Sequence, residues 1–336
     1  MLYIDVFYRK EDILPLLDKL KEVEHLIGNT PLVKLEHEIV DLYTKLEYHN
    51  LANSVKARTA YYILKSAIER GEIREGTTVI ESSSGNFAIA LATLCKYIGI
   101  KFIAVIDPNI NALYESLLRV ISYNTVKVTI PDNTGGFLLS RLEKVQGLLK
   151  SVPHAYWPNQ YKNKDNFSAH YCGLGSELVQ HFDQLDYAFI SVSTGGTISG
   201  VSVRLKEKFT NIKIIAVDSE GSIIFGGPPR KRHIPGMGAS IVPEQINRAL
   251  IDDVMIIPEL KTVQGCHELF EKHAILAGGS SGALYYAVHQ YFQHKQQEKK
   301  PTVAFLCPDS GAAYINTIYN PEWVSQLHDE KGMIPV

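Results

Sequence analysis

From residue 77 onward the chain alternates short apolar runs with longer helix-like ones, and this alternation restricts the fold more than any other feature. "TTVIESS" precedes "NFAIALATLCKYIG", "KFIAVID" precedes "NALYESLLRVIS", and "TVKVTI" precedes "GGFLLSRLEKVQGLLK". Further on come "DYAFISV" with "TISGVSVRLKEKF", then "KIIAVDS", "VMIIPE" with "TVQGCHELFEKHA", and finally "TVAFLCP". The short runs are β-branched and apolar at successive positions, as in parallel strands covered by helices on both faces. Strand and helix in alternation predict an α/β fold with right-handed crossovers. No repeat or low-complexity segment interrupts the pattern, and no composition shift marks a linker, so two lobes are expected rather than beads on a string.

Composition excludes several classes of function. At 336 residues the chain can bury a large core, and its 45% hydrophobic and 21% charged content is ordinary for a globular protein. A net charge of -2 gives no electrostatic reason to expect nucleic acid or an anionic membrane. The start, "MLYIDVFYRKEDILPLLDKLK", carries acids early and has no unbroken apolar core, unlike a signal peptide. No apolar run approaches the ~20 residues of a spanning helix. Cys95, Cys172, Cys266 and Cys307 are widely spaced and read as reduced core thiols, with no zinc site or disulfide framework. A cytoplasmic protein without a metal is expected.

In open parallel sheets ligands sit at the carboxyl ends of the strands, so the strand-to-helix turns are where chemistry is expected. Three stand out. Glu81-Ser82-Ser83-Ser84-Gly85-Asn86 offers three hydroxyls, a glycine and an amide where one capping residue suffices. Ser193-Thr194-Gly195-Gly196-Thr197 is a glycine-rich turn of the kind that wraps a phosphate with backbone N–H groups. It lacks the Gly-Lys-Ser/Thr of a nucleotide loop and the Gly-x-Gly-x-x-Gly of a dinucleotide site, which points to a compact phosphate. Cys307-Pro308-Asp309-Ser310-Gly311 reads on its own as a turn. Upstream, Lys56 in "NSVKART" lies between a strand-like run ending "TKLEYHN" and a helix-like "AYYILKSAIERG". Alone, it reads as surface charge or as a positioned amine.

These pieces occur in one order along the chain: "LIGNTPLVKL" (residues 26–35), "SVKAR", "ESSSGNFAIALA", "STGGTISG", "GMGAS", "AGGSSGA" and "CPDSGAAY". Together they resemble the fold type II pyridoxal-phosphate enzymes of the cysteine synthase and cystathionine β-synthase family, over nearly the whole chain. The resemblance implies a two-lobed fold like the tryptophan synthase β subunit, with twisted parallel sheets covered by helices. Residues 50–160 would form a smaller mobile lobe carrying Lys56 and the Ser-Gly-Asn loop. Residues 1–49 and 161–336 would form the larger lobe with the phosphate loop. It also implies pyridoxal 5'-phosphate as cofactor, small amino-acid substrates and a homodimer.

Site roles follow from the same resemblance. Lys56 becomes the Schiff-base lysine and the general base at the substrate α-carbon. Thr194, Gly195, Gly196 and Thr197, with Ser193 beside them, cradle the cofactor phosphate. Asn86 hydrogen-bonds the 3′-oxygen. Ser83, Ser84 and Gly85 hold the substrate carboxylate, with Gln160 assisting. Ser310 meets the pyridine nitrogen, with Ser280 a second candidate. A hydroxyl there suits β-elimination and replacement, by way of an aminoacrylate, over transamination. This chain departs from the family pattern in having Asn53 and Ala57 on either side of Ser-Val-Lys, where Gly and Asp are frequent, and Phe87 where Thr usually follows Ser-Gly-Asn.

"KLEYHN", "VIDPNI", "GGFLLSRLEKVQGLL", "AYWPNQY", "GSIIFG" and "HIPGMGASIVPEQINR" look like a narrower subfamily, the N-(2-amino-2-carboxyethyl)-L-glutamate synthases of siderophore and 2,3-diaminopropionate biosynthesis. That likeness implies O-phospho-L-serine and L-glutamate as substrates, with phosphate as leaving group. Arg141 then suits the phosphate, with Tyr161 and Ser193 assisting, but "SRLEKVQ" reads equally well as a solvated helix face. Cysteine synthase or cystathionine β-synthase activity is the alternative. The Gly/Pro-rich stretch 226–238 contains Arg230-Lys231-Arg232-His233, either a solvated loop or a docking point for an anionic second substrate. Tyr156 and Trp157 read as core aromatics, and "HKQQEKK" (294–300) as a solvated helix end.

Overall fold

The computed structural model describes residues 13–132, 136–295 and 299–332; residues 1–12 at the start of the chain and 296–298 of the charged run lie outside the described residues. In chain order the helices are α1 (Leu14–Glu22), α2 (Lys56–Glu69), α3 (Asn86–Ile98), α4 (Ala112–Ile121), α5 (Leu138–Ser151), α6 (Lys164–Ala169), α7 (Ser176–His181), α8 (Gly196–Lys208), α9 (Glu259–His273), α10 (Gly279–Phe292) and α11 (Pro321–Gly332). The strands are β1 (Leu32–Leu35), β2 (Asp41–Leu46), β3 (Thr78–Ser82), β4 (Lys101–Ile106), β5 (Asn124–Lys127), β6 (Ala155–Tyr156), β7 (Tyr187–Ser191), β8 (Lys213–Ser219), β9 (Asp253–Ile257) and β10 (Thr302–Cys307).

Packing divides the chain into two units. One comprises Met1–Ile27 and Lys56–Asn159, the other Gly28–Val55 and Gln160–Val336. The start of the chain, expected with residues 161–336 in the larger lobe, groups with Lys56–Asn159. There α1 buries Leu16 and Leu20, one turn apart on one face, and packs against α2 and α3 of the first unit.

The first unit holds a four-stranded sheet in the order β5-β4-β3-β6, parallel throughout. β3 is buried along its whole length, and Ile80, Ile103 and Val105 pack with Val145 of α5. α3 is mostly apolar and ends at Gly99, whose φ of 83° lets its N–H turn back to the Cys95 and Lys96 carbonyls. α4 starts at Asn111, whose side chain accepts from the Leu113 and Tyr114 N–H groups.

The second unit holds a six-stranded sheet in the order β1-β2-β10-β7-β8-β9. Only the β1–β2 hairpin is antiparallel; β2-β10-β7-β8-β9 run parallel. The strand-like run ending "TKLEYHN" stops as a strand at Leu46 and continues as a short 3₁₀ turn, Glu47–His49. Its core gathers Phe189, Ile215, Val217, Leu284, Val288 and Phe305 around the parallel strands and the buried α10. Cys95, Cys266 and Cys307 are buried free thiols, as the sequence suggested; Cys172 is not, because it lies exposed on the π-helical turn His170–Gly175. Among the described residues no helix is long and apolar enough to cross a membrane.

Candidate active site

Lys56 is the first residue of α2. The turn before it places Ala52 (φ 60°) and Asn53 (φ 53°) in the left-handed region. Glycine enters that region freely and asparagine more readily than most other residues, so Asn53 can replace a glycine without changing the backbone path. Within the second unit this turn is pinned by Val55 N–H donating to the Pro308 carbonyl (2.8 Å) and by a bridge between Ser54 and Asp309. Ala57 is fully buried, which accounts for an apolar residue there.

The serine loop joins β3 to α3. Gly85 N–H donates to Ser83 Oγ at 3.4 Å, and α3 starts without a side-chain cap, its Ala88 and Ile89 N–H groups donating to the Gly85 carbonyl (3.0 and 3.3 Å). Asn86 Oδ1 accepts a short hydrogen bond from the Tyr114 hydroxyl. Ser84 Oγ donates to Asp107 Oδ2 (3.1 Å) and accepts from Arg141 NH1 (2.8 Å), which also lies 3.2 Å from Asp107 Oδ2. The Arg141 side chain is 13% exposed, and its buried Nε has no hydrogen-bond partner among the described residues. It is therefore not a solvated face residue, because α5 lies against β3 and β4 and directs it into the serine loop. Phe87 is buried in the unit's core, and Trp157 is only partly buried, its indole donating to Glu81 Oε1 at 3.2 Å.

In the second unit Ser193–Thr197 links β7 to α8. Gly195 has φ 84°, and a side chain on it would press the Ile246 N–H at 3.0 Å; one on Gly196 would overlap the Asn166 amide. α8 also lacks a side-chain cap. Thr197 Oγ1 lies 3.2 Å from Nε2 of the buried His170, and Asn166 Nδ2 donates to the Gln160 carbonyl (2.8 Å) and, at 3.5 Å, to Thr194 Oγ1. Ser193 Oγ donates to the Gly238 carbonyl (3.2 Å), joining "STGGT" to "GMGAS". The Gln160 side chain is buried; Tyr161 is half-buried and lies within electrostatic reach of Arg232.

Ser280 and Ser310 are carried on adjoining segments. Gly278 N–H donates to the Asp309 carbonyl (3.0 Å) and Gly311 N–H to the Leu276 carbonyl (3.0 Å). Ser280 is buried near the start of α10; the Ser310 Oγ accepts from Ala312 N–H at 3.2 Å, leaving its proton free to donate elsewhere. Asp107, Tyr114, Asn166 and His170 were missed by sequence reasoning. Asp107 had a signal, since it ends "KFIAVID" at a strand carboxyl end; His170 had none, because only helix packing brings it under Thr197.

Each unit is an α/β layer of mainly parallel strands, and hydroxyl-rich helix starts without side-chain caps follow β3 in the first and β7 in the second. A family model described as pyridoxal-phosphate dependent enzyme matches residues 23–309. An O-acetylserine dependent cystathionine β-synthase from Helicobacter pylori is 30% identical, with a TM-score of 0.82, over 89% of this chain and 98% of that one. A hydrogen sulfide-producing enzyme from Fusobacterium nucleatum is 31% identical, with a TM-score of 0.81, over 87% of this chain and 98% of that one. Another hydrogen sulfide-producing enzyme, a point mutant complexed with an α-aminoacrylate intermediate, is 27% identical, with a TM-score of 0.82, over 92% of this chain and 96% of that one. The chain belongs to the pyridoxal-phosphate dependent enzyme family, and its cofactor is pyridoxal 5'-phosphate.

The residues present fit that cofactor. The "STGGT" turn offers an uncapped helix start and two glycines with no room for a side chain, which is what a phosphate approaching the backbone requires. Among the described residues no three His, Cys, Asp or Glu side chains are grouped to hold a metal ion.

Proposed function

We propose that the protein is a β-replacement synthase that joins O-phospho-L-serine to L-glutamate, forming N-(2-amino-2-carboxyethyl)-L-glutamate and releasing phosphate. The observation that carries this reading is Arg141. A mostly buried guanidinium at the serine loop, hydrogen-bonded to Ser84, paired with Asp107 and with its Nε unpartnered among the described residues, suits a phosphate leaving group. An acetate leaving group needs no such cation.

The bound cofactor supplies an electron sink at the substrate α-carbon. Ser83, Ser84 and Gly85 orient the substrate carboxylate at the start of α3, with Gln160 assisting. Lys56 Nζ removes the α-proton. The β-carbon–oxygen bond breaks with its electron pair going to phosphate, which Arg141 receives, with Tyr161 and Ser193 assisting. The glutamate nitrogen bonds to the β-carbon and gives up a proton, and Lys56 returns the proton to the α-carbon. The enzyme works as a homodimer, which analytical ultracentrifugation checks.

A second reading, cysteine or cystathionine synthesis from an activated serine and a sulfur nucleophile, is favoured by the activities of the structural relatives. The test is to give purified holoenzyme O-phosphoserine or O-acetylserine, each with glutamate or sulfide, and identify products by mass spectrometry. A glutamate adduct from phosphoserine is expected; cysteine from O-acetylserine without that adduct overturns the proposal in favour of the second reading.

A further inference from the structure

The loop Arg230-Lys231-Arg232-His233 carries four basic residues, and three are matched to carboxylates. Arg230 NH1 lies 2.6 Å from Glu220 Oε1, and Lys231 Nζ lies 3.6 Å from Glu330 Oε2. His233 is held between Glu259 Oε2 (3.0 Å) and Glu330 Oε2 (2.9 Å). Arg232 is different. It is half-buried, and both groups it bonds are neutral: NH1 donates to the Gly221 carbonyl (2.7 Å) and NH2 to Ser240 Oγ (3.2 Å). No carboxylate among the described residues pairs with it, and three of its five N–H donors have no partner there.

Its position follows from glycine. Gly238 has φ 75°, and a side chain there would lie 3.3 Å from Arg232 Cδ and Nε, so the arginine stem lies across Gly238. Gly238 N–H donates to the Val192 carbonyl (2.8 Å), and its own carbonyl accepts from Ser193 Oγ (3.2 Å). Arg232 is thus laid beside the start of the phosphate loop, at the carboxyl ends of β7 and β8, where ligands of parallel sheets bind. Burial disfavours its charge, and the buried Asp218 at the end of β8, with Glu259, favours it from beyond pairing distance. A half-buried guanidinium with only neutral partners is costly to retain, and an arriving anion offsets that cost.

We propose that Arg232 holds a carboxylate of the second, incoming substrate and is the residue that selects carboxylated amines over a small nucleophile such as sulfide. This rests on the reading that the second substrate is an amino acid. The planar fork matches a carboxylate in two parallel hydrogen bonds, and its stem on Gly238 fixes the direction of approach.

The test compares wild-type holoenzyme with Arg232→Met, which keeps the apolar stem, and Arg232→Lys, which keeps the charge. With phosphoserine saturating, Arg232→Met is expected to raise KM for glutamate about 30-fold while sulfide turnover changes less than about twofold; Arg232→Lys recovers part of the loss. In parallel, calorimetry measures binding of glutarate, a dicarboxylate without an amine, which wild type is expected to bind and Arg232→Met is not. Equal losses with glutamate and sulfide, an unchanged glutamate KM, or glutarate binding that does not differ between the proteins overturns the assignment. Glutarate bound by wild type alone, in an enzyme that does not consume glutamate, supports Arg232 as a carboxylate site and rejects the glutamate reading instead.

Discussion

Arg141 could be read from sequence as an exposed residue among Glu143 and Lys144, but the packing of α5 against β3 and β4 leaves its side chain only 13% exposed. Its NH1 is held by Ser84 and Asp107, which fixes the fork, and its buried Nε has no hydrogen-bond partner among the described residues. Losing a charge-assisted hydrogen bond costs about 1.5–3 kcal/mol, or roughly a 10- to 100-fold rate loss. Arg141→Ala is therefore expected to lower kcat/KM for O-phosphoserine by that factor and to leave O-acetylserine within about threefold; equal losses on both remove Arg141 from the leaving-group role. Lys56 carries a different expectation. Lys56→Ala should lower activity at least about 100-fold, because proton transfer loses its positioned base. The visible absorption of the lysine-attached cofactor should vanish with it, and an absorption band that persists in the variant points to another lysine.

Helix crossings set the next scale. α9 and α10 approach so closely that a side chain on Gly265 would overlap the Gly282 carbonyl, and one on Gly282 would come within 2.5 Å of the Thr262 carbonyl and 2.6 Å of the Cys266 N–H. Alanine is the better helix former by about 1 kcal/mol, but forcing a methyl group against backbone costs about 1–3 kcal/mol or more. The clash wins, so Gly282→Ala should lower stability by about 2 kcal/mol in urea unfolding. Gly147, in the middle of α5, is exposed with nothing within 4 Å of an added Cβ, so Gly147→Ala should raise stability by up to about 1 kcal/mol. A glycine motif such as "AGGSSGA" thus records packing as well as ligand contact. A side chain on Gly278 would overlap the Asp309 carboxylate, and one on Gly279 would overlap Ile234.

Over the whole molecule, acid stability depends in part on His37, in the connection between β1 and β2. Its Nδ1 accepts from the Ile39 (3.1 Å) and Val40 (3.3 Å) N–H groups, so it must stay unprotonated in the native state. Burial, then the neighbouring His289, Lys300, Lys272 and His273, lower its pKa from 6.5 to about 4. Since the native value lies below the unfolded one, the unfolded chain takes the proton first as pH falls. The stability present above about pH 6.5 is lost as pH falls toward 4, by about 2 kcal/mol once partial exposure is allowed for. His37→Asn can keep an acceptor for the same N–H groups without titrating, and should flatten the urea midpoint between those pH values; an unchanged slope assigns the acid sensitivity elsewhere. The α/β class, the parallel strands and the loops "ESSSGN" and "STGGT" were legible in the sequence, because apolar period and turn chemistry are local properties. The family was legible too, because its motifs follow one another in order along the chain. The β1–β2 hairpin, the membership of α1 in the first unit and the exposure of Cys172 were not, because each depends on what a segment packs against. Asp107, Arg141 and Ser84 lie far apart in sequence, and Arg232 is one of four basic residues in a row. Only the tertiary structure, by supplying partners to some charges and withholding them from others, decided that Arg141 pairs with a carboxylate and Arg232 bonds only neutral groups.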